Sequence, residues 1–410
     1  MIKTLYVWCI AFGSIAFTQL TSAQMLAPVS QLIEGHARFG FALHLALETS
    51  HPDLVFSPYS AASCLAMAYL GARGETASEM GKSLHFSLER KLIPQTSFQL
   101  DQMLLPLGTT GISYELKPAQ GLFIDQGVFL LTDFRYAIEK QFRAHLGRMD
   151  FSNSKQALIT INDWVTARTS GTISALVTPS DLDKSTRLML LSALYFKGTF
   201  VLPFAQEMTR ATPFYPTSDT SVTVQMMEAT ETLPYSENSL IQMVALPFKG
   251  ATQEGGKLAL VIVLPKSSAN LNAVARELEN GFTEWLTALK PEKVNVKLPK
   301  FTQNNRLDLK LALEKLGMEE AFGNDANFQG IDGMRSLMLD HVIHETLISV
   351  DEQGILASAV TTAPMHLKNA SPETPPTLFS ADHPFLYFIV DLKSREVLFM
   401  GQLKNPKTGS

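Results

Sequence analysis

The sequence predicts an α+β fold, because its helical and strand patterns are grouped rather than alternating along the chain. Apolar residues recur at helical spacing early in the chain, in residues 31–48 and 61–70. Unbroken apolar runs typical of buried strands come later, as in residues 188–196 and 385–390. The chain is 46% hydrophobic and 18% charged and has neither a fixed-period repeat nor a Gly/Ser linker, so we expect residues 24–410 to form one globular domain.

Local signals mark where single helices begin and end. Ser57 and Pro58 precede the apolar residues 61–70, and both residue types are typical of the first positions of a helix. A second amphipathic helix with a stop at Gly317 is predicted from four apolar residues that share one face: Leu309, Ala312, Leu313 and Leu316.

Two pairs of apolar runs predict β-hairpins. Residues 240–247 and 258–265 flank a Gly-rich stretch, and residues 385–390 and 397–403 are joined by a charged turn. These strands lie in the second part of the chain, which agrees with an α+β arrangement.

The first 23 residues have the pattern of a secretory signal peptide. Lys3 supplies a positive charge, residues 5–17 are uncharged and apolar, and the small residues 21–23 suit cleavage. The apolar run is shorter than the ~20 residues that a membrane-spanning helix needs. We therefore expect a secreted, extracellular protein, or a periplasmic one in a bacterium, and no membrane association.

Cysteine content and charge exclude two further possibilities. Cys9 lies in the signal segment and Cys64 remains alone, so the mature chain cannot form an internal disulfide. The net charge of -5 argues against nucleic acid as a partner, since nucleic-acid binding normally requires a basic surface.

The motifs of several enzyme classes are missing from the sequence. There is no Gly-x-Ser-x-Gly elbow of an α/β hydrolase, and His344-Glu345 has no second histidine at zinc-peptidase spacing. The glycines of residues 250–257 do not fit a phosphate loop, so a hairpin turn is the better interpretation. His341 and His344 lack cysteine partners at metal spacing, and we interpret both as structural. We expect no catalytic residue, no metal and no cofactor.

Residues 354–384 form a long stretch of small, hydroxyl and proline residues between two predicted strands. Connections of more than about 15 residues are usually functional or disordered. In an extended conformation, alternate residues of its first half would share one face that is mostly alanine or threonine: Ile355, Ala357, Ala359, Thr361, Ala363 and Met365. Such a face could slide between two existing strands without overpacking the core. A linker that happens to be rich in alanine and threonine is the alternative interpretation.

The surroundings of this stretch resemble the serpin family, and the resemblance runs from about residue 30 to the C-terminal end. Residues 379–389 resemble the serpin signature, and residues 398–401 with Asn405-Pro406 resemble its usual ending. Other matches occur in the family's order, at residues 56–60, 161–165, 171–173, 193–198, 203–204 and 298–301.

The resemblance implies three β-sheets, about nine helices and an exposed reactive loop at about residues 354–380 of a metastable monomer. It also implies a function, the inhibition of a serine protease. The protease would attack the loop as a substrate and become acylated, and the freed loop would insert into the large sheet and distort the protease. A non-inhibitory serpin with a carrier, chaperone or storage role is the alternative, and inhibition of cysteine proteases through the same loop is another.

The reactive bond follows from the family's spacing. Counting seventeen residues from Glu352 places the bond between Lys368 and Asn369, with Leu367 and Met365 as alternative bait residues. A lysine there suits a trypsin-like protease, whose specificity pocket has a carboxylate at its base.

Two other groups of residues match family positions. The hinge and the inserting part of the loop are Glu352, Gly354, Ile355, Ala357, Ala359, Thr361 and Ala363. Residues beneath the large sheet, which would hold its central strands together, are Ser57, Ser60, Ser192 and His344.

The sequence departs from the family at three positions. Ile355 stands where the loop enters the sheet and where Thr or Ser is usual, so we expect slower insertion. Ser192 replaces a common Asn and Phe200 a common Trp, which predicts a changed ease of sheet opening. The stretch 369–384 is also about five residues longer than in alpha-1-antitrypsin, and lengthening a loop costs only about 0.6 kcal/mol per doubling.

Overall fold

Two hydrogen-bonded sheets and nine α-helices make up the part of the chain that the computed structural model describes, namely residues 22–104, 114–250, 258–266, 271–356 and 375–406. The helices are α1 (Ser22–Leu47), α2 (Pro58–Gly71), α3 (Gly74–Ser83), α4 (Ile93–Leu104), α5 (Thr132–Tyr136), α6 (Ser154–Arg168), α7 (Leu271–Thr287), α8 (Lys310–Lys315) and α9 (Gln329–Asp332). A π-helical turn, Ala137–Gln141, continues α5. No helix in these ranges is long and apolar enough to cross a membrane.

The strands are divided between the two sheets. The first six are β1 (Leu54–Phe56), β2 (Tyr114–Asp125), β3 (His145–Met149), β4 (Leu188–Thr199), β5 (Arg210–Thr217) and β6 (Thr220–Glu237). The remaining nine are β7 (Ile241–Pro247), β8 (Leu258–Pro265), β9 (Lys290–Pro299), β10 (Phe301–Asp308), β11 (His341–Asp351), β12 (Gly354–Ile355), β13 (Thr377–Ser380), β14 (Phe385–Asp391) and β15 (Val397–Leu403).

The larger sheet has nine strands in the order β1-β15-β14-β8-β7-β6-β9-β13, with β5 paired to β6. Where the family resemblance implies three sheets, the described strands form two, because the 18 residues of β6 pair with β5 and β9 along most of their length and with β7 at their end. The long strand therefore joins two of the expected sheets into one hydrogen-bonded network.

The smaller sheet has six strands in the order β10-β11-β12-β4-β2-β3. Its centre is β4, whose first nine residues are all buried as the apolar run predicts. Residues 341–346 of β11 pair in parallel with residues 189–194 of β4. Beyond that point β12 lies between the two strands and is antiparallel to both.

Helix α2 packs beneath this sheet, and its start is determined locally. The Ser57 hydroxyl accepts a hydrogen bond from the Ser60 backbone N–H at 2.9 Å, and Pro58 occupies the first turn. Most residues of the helix are buried, including Cys64, so α2 is enclosed by the core instead of lying on the surface. The predicted start of this helix is therefore confirmed.

Several other predicted elements are confirmed. The structure has an α+β fold, β7 and β8 pair antiparallel, and so do β14 and β15. Helix α8 is followed by Gly317 with φ of +89°, the left-handed stop that the sequence predicts. The predicted signal peptide lies outside the described residues except for residues 22 and 23, with which α1 begins.

Candidate functional site

A slot opens between β4 and β11 where the two strands cease to pair. We define this slot by residues 195–197 of β4 and 347–349 of β11, which lie between the β4–β11 pairing and β12. At the upper end of the slot Ile355 is opposite Gly198 on one side and Val350 on the other. The Ile355 side chain has 0% exposure and packs in the core shared by the two sheets.

The position of Ile355 corrects one expectation from the sequence. It was expected to meet the sheet only when the loop inserts, but it is already part of a strand. The predicted reactive loop would therefore begin after Ile355 and not at residue 354. The apolar, β-branched side chain suits this buried site between two strands.

Gly354 makes this entry into the sheet possible. Its φ is +144°, and a Cβ atom there would come 2.1 Å from the Gly198 carbonyl oxygen. No residue with a side chain fits that approach without movement of the β4 backbone. After the strand, Leu356 has φ of +50° and donates its backbone N–H to the Ser349 carbonyl at 3.1 Å. The chain thus changes direction immediately beyond β12.

The segment predicted as the hinge is anchored by the carboxylate of Glu352, which is 5% exposed. It accepts a hydrogen bond from the Thr209 hydroxyl at 2.9 Å and pairs with the Lys300 ammonium at 2.8 Å. Burial favours the neutral acid, but the hydrogen bonds from Lys300 and Thr209 and the charge of Lys300 together hold the Glu352 pKa below its usual value. The carboxylate is therefore ionised near neutral pH.

Backbone hydrogen bonds reinforce this anchor. The Phe200 N–H donates to the Gln353 carbonyl at 2.8 Å, and the Phe204 N–H donates to the Glu352 carbonyl at 2.9 Å. The Phe200 ring stacks on Phe248 with centroids 5.3 Å apart, so this position is held by aromatic packing. Thr209, Lys300 and Phe204 have no predicted role. Phe204 and Lys300 lie in the family matches at residues 203–204 and 298–301, whereas Thr209 lies outside every match.

The four residues expected beneath the sheet are brought together, and we call them the polar cluster: Ser57, Ser60, Ser192 and His344. All have 0% exposure. The Ser57 backbone N–H donates to His344 Nε2 at 2.9 Å, His344 Nδ1 lies 3.0 Å from Ser192 Oγ, and Ser192 Oγ lies 2.8 Å from Ser60 Oγ. The cluster thus connects β4, β11 and the start of α2.

These contacts determine the tautomer of His344. Because Nε2 accepts from a backbone N–H, the ring proton lies on Nδ1 and is donated to the Ser192 hydroxyl. A second proton, on Nε2, would point at the Ser57 backbone N–H, which is itself a hydrogen-bond donor. Burial lowers the pKa of His344 to about 3, so the ring is neutral and the cluster carries no charge. The neighbouring Cys64 thiol contacts the Leu191 carbonyl of β4 at 3.4 Å, and burial raises its pKa.

At the far end of the predicted loop the chain is a strand again. Residues 377–380 form β13, which pairs in parallel with β9, so the loop ends before residue 377 and not at residue 380. Gln242 Nε2 donates to the Leu378 carbonyl at 3.1 Å and helps to fix this strand. Together with β12, this shortens the predicted loop at both ends.

The remaining predicted loop residues lie outside the described residues. They are Ala357, Ala359, Thr361, Ala363, Met365, Leu367, Lys368 and Asn369. Their roles stay predictions.

No group of three or more His, Cys, Asp or Glu residues in the described ranges could hold a metal ion. The two histidines that the sequence singled out have protein partners instead. His341 Nδ1 lies 2.6 Å from Asp308 Oδ2, and His344 belongs to the polar cluster.

Comparisons with known proteins agree with this architecture. The sequence model described as "Serpin (serine protease inhibitor)" matches residues 34–406. The leukocyte elastase inhibitor of Sus scrofa is 33% identical over 393 residues, which cover 92% of this chain and 100% of that protein. Among solved structures, Serpin48 of the insect Tenebrio molitor has a TM-score of 0.81 at 28% identity, covering 92% of this chain and 98% of that one. Human thyroxine-binding globulin has a TM-score of 0.82 at 23% identity, covering 93% of this chain and 100% of that one, and shows the fold alone.

Proposed function

This chain belongs to the serpin family, a family of serine protease inhibitors and not of enzymes, and from that membership we propose that it traps a trypsin-like serine protease as a suicide substrate. The protease serine attacks the carbonyl of Lys368, the peptide bond to Asn369 breaks, and the new amine leaves with a proton from the catalytic histidine. The acyl ester then joins Lys368 to the protease. Insertion of the freed loop displaces the protease and distorts its catalytic geometry before water can hydrolyse the ester.

One observation carries the proposal, namely that β12 already occupies the end of the slot between β4 and β11. It is antiparallel to both neighbours, which is the direction that a chain continuing into the slot requires. Gly198, Phe196 and Leu194 are alternate residues of β4, and the last two are buried in the same core as Ile355. Insertion would therefore continue a register that β12 already has, and beyond the slot it would also have to separate β4 from β11.

If the inserted loop continued that register, three of its small residues would meet particular residues of the sheet. Ala357 would come opposite Phe196 and Ala359 opposite Leu194, both on the core side. Thr361 would then come opposite Ser192 on one strand and opposite His344 on the other. Its hydroxyl would replace the direct contact between those two residues, so the polar cluster would reorganise with its hydrogen bonds satisfied.

Protease specificity depends on which residue precedes the cleaved bond. Lys368 fits a pocket with a carboxylate at its base, whereas Leu367 or Met365 would fit a hydrophobic pocket. The relative from Sus scrofa is named as an inhibitor of an elastase, which favours testing the apolar residues as well. We propose Lys368 because it is the only Lys or Arg between Glu352 and Lys393.

A non-inhibitory role is the second candidate. The same fold occurs in thyroxine-binding globulin, a protein named for a bound ligand, so the fold by itself does not require inhibition. The small residues at 357, 359, 361 and 363 favour the inhibitor, since a non-inserting loop has no need of a small core-facing side. We also propose that the protein is secreted, on the pattern of residues 1–23, and that it acts as a monomer, as the family resemblance implies.

The decisive experiment mixes the mature protein with trypsin, chymotrypsin and elastase in turn. We expect an SDS-resistant band at the summed mass with trypsin, and a released C-terminal peptide that begins at Asn369. Lys368→Ala should abolish the band, while Lys91→Ala, which changes an exposed lysine outside the predicted loop, should not.

Other cleavage products identify the alternatives. A peptide that begins at Lys368 or His366 would move the reactive bond to Leu367 or Met365. Cleavage without any covalent band, and without a rise in melting temperature after cleavage, would support the non-inhibitory role.

A further inference from the structure

The outer face of the six-stranded sheet is covered by residues 169–187, which connect α6 to β4 and which we call the cover segment. Ser192 of β4 belongs to the polar cluster, so its neighbours Leu191 and Ala193 face the opposite side of the sheet. Both are buried in one apolar cluster with residues of the cover segment and of β11: Ile173, Leu176, Val177, Leu182 and Ile343. The cover segment therefore packs over the line along which β4 and β11 meet.

Arg306 of β10 fastens the cover segment on the far side of this line. Its Nε donates to the Leu176 carbonyl at 2.6 Å, and its guanidinium also pairs with the Asp181 carboxylate. Asp181 is 8% exposed and accepts hydrogen bonds from both the N–H and the hydroxyl of Thr178, so its position is fixed. A planar guanidinium that binds two acceptors holds a segment in a defined place.

Arg306 also lies in one of the first rows of residues that an inserting loop would separate. It is opposite Glu345 of β11, and Glu345 is opposite Ala193 of β4, one residue from the end of the β4–β11 pairing at the slot. All eight residues of β10 pair with β11, so these two strands would stay together when β4 moves away. The contact between Arg306 and the cover segment therefore bridges the line where the slot would be lengthened.

Insertion would strain this contact. An added strand widens a sheet by about 4.8 Å. The cover segment is continuous with β4, and it is tied to α6 by two hydrogen bonds between Asn162 and Val177, at 2.8 and 2.9 Å. If the cover segment moved with β4 and α6, its acceptors would leave hydrogen-bond distance of Arg306. Arg306 would then have to release Leu176 and Asp181 before the strands could part.

The other end of the same line has a different tie. Asp340, which precedes β11, accepts hydrogen bonds from the backbone N–H groups of Arg187 at 2.8 Å and of Leu188 at 3.0 Å. A separation that began at the slot would reach Arg306 first and Asp340 last. Arg306 is therefore the tie that would govern the start of the process.

We propose that Arg306 is a positioning residue that acts as a latch: by holding Leu176 and Asp181 it keeps the cover segment on β10 and sets the rate at which β4 separates from β11. The inference rests on the proposed function, because this rate affects inhibition only if the loop inserts. Glu345 is the other carboxylate near Arg306, but it lies on the same side of the line and cannot resist the separation.

The test is hydrogen–deuterium exchange of the mature protein, read by mass spectrometry of peptides that cover residues 189–194 and 341–346. Arg306→Gln should accelerate exchange in both peptides about tenfold and leave β14 and β15 unchanged. Arg306→Lys keeps the charge but lacks the planar fork, so it should accelerate exchange about threefold.

Two variants are the matched controls. Arg135→Gln removes an arginine that pairs with a carboxylate on the surface, at Glu139. Glu345→Gln removes the carboxylate beside Arg306 without touching the cover segment. Each should change exchange in the two peptides by less than about twofold.

A second measurement separates a latch from a merely structural residue. Ala357→Arg should slow insertion, because it would bury a charge, and should raise the number of inhibitor molecules consumed per trypsin inactivated. Adding Arg306→Gln should lower that number again by about threefold or more, since the strands would part faster. The loss of a merely structural contact would not restore trapping.

Four results would overturn the latch. They are unchanged exchange in Arg306→Gln, equal acceleration in β14 and β15, equal acceleration in Glu345→Gln, and no recovery of trapping when Arg306→Gln is added to Ala357→Arg. Arg306→Lys decides the matter if Arg306→Gln does not fold. If the parent protein traps no trypsin, the proposed function fails, whereas exchange still decides whether Arg306 holds the two strands together.

Discussion

His344 of β11 lies directly opposite Ser192 of β4, with Nδ1 3.0 Å from the serine hydroxyl, in the stretch where these two strands pair with each other. This hydrogen bond crosses the line along which an inserting strand would separate them. It is buried and uncharged, so it stabilises the closed sheet without the cost of a buried ion. It can also be probed by protonation.

We predict that His344 makes the folded state less stable in acid. Its folded pKa of about 3 lies below the unfolded value of about 6.5, so the unfolded chain binds the proton first. The stabilisation is complete above pH 6.5 and decreases as the pH falls toward 3, by about 1.4 kcal/mol per unit. Between pH 6.5 and 5, the free energy of unfolding of His344→Gln should therefore decrease by about 2 kcal/mol less than that of the parent, as measured by urea unfolding.

His341→Gln on the same strand is the control for this experiment. The hydrogen bond with Asp308 raises the His341 pKa, so its stabilisation is present in acid and is lost only as the pH rises, and its removal should not reduce the loss of stability toward pH 5. His44, whose pKa burial lowers to about 4, is present in both proteins and cancels. Equal slopes for the parent and His344→Gln would show that His344 is not buried as a neutral ring.

Glu352→Gln should release the hinge. The amide keeps the shape of the side chain but removes the charge-assisted bond to Lys300, which predicts a loss of ~1–3 kcal/mol in stability. Hydrogen exchange at the Ile355 amide should accelerate, because β12 is held in the sheet by this anchor. Glu228→Gln removes a longer ion pair with Lys297 at 3.7 Å. It should lower stability by no more than about 1 kcal/mol and leave hydrogen exchange at the Ile355 amide unchanged.

Ile355→Thr should lower stability without improving inhibition. Ile355 is buried before insertion and would stay buried afterwards, so the loss of about 1–3 kcal/mol from a smaller, polar side chain affects both states. The number of inhibitor molecules consumed per trypsin inactivated should stay constant. Ile355→Val, at about 0.5–1.5 kcal/mol, is the milder control. Improved trapping with unchanged stability would indicate that Ile355 belongs to the exposed loop, as the sequence predicts.

Ala357→Arg should convert the protein from an inhibitor into a substrate. If the inserted loop continued the register of β12, residue 357 would lie on the core side opposite Phe196, where burial of an unpaired charge costs several kcal/mol. Each 1.4 kcal/mol slows insertion about tenfold, so hydrolysis of the acyl-enzyme would become faster than insertion. Ser358→Arg, on the opposite side of the same segment, should inhibit far better. Efficient trapping of trypsin by Ala357→Arg, measured by titration, would exclude insertion as the mechanism.

The sequence predicted those elements that local patterns determine. Helix α2 follows from the Ser57 and Pro58 signals at its start, and β4 and β14 follow from unbroken apolar runs. The polar cluster was predicted as a set of residues through the family resemblance. Its hydrogen-bond order was not, because that depends on the register of β11 against β4.

Long-range pairing explains what the sequence missed. Thr209 and Lys300 reach Glu352 from distant parts of the chain, and nothing near residue 352 indicates them. Residues 391–396 were predicted as an ordinary charged turn, yet Glu396 is fully buried and pairs with His36 at 3.1 Å. The strand β12 was missed because two residues give no periodicity, and its place in the sheet depends on the close approach of Gly354 to Gly198.

The buried Cys64 thiol provides a native chemical probe for the separation of β4 from α2. Its thiol contacts the Leu191 carbonyl of β4, and the other cysteine of the chain, Cys9, lies in the predicted signal peptide. A thiol-reactive dye cannot reach the Cys64 thiol while β4 packs against α2, so the thiol is labelled only when the two elements separate. At dye concentrations at which labelling is faster than reclosing, the labelling rate therefore gives the rate of opening in the native chain, without a tag, a mutation or a protease.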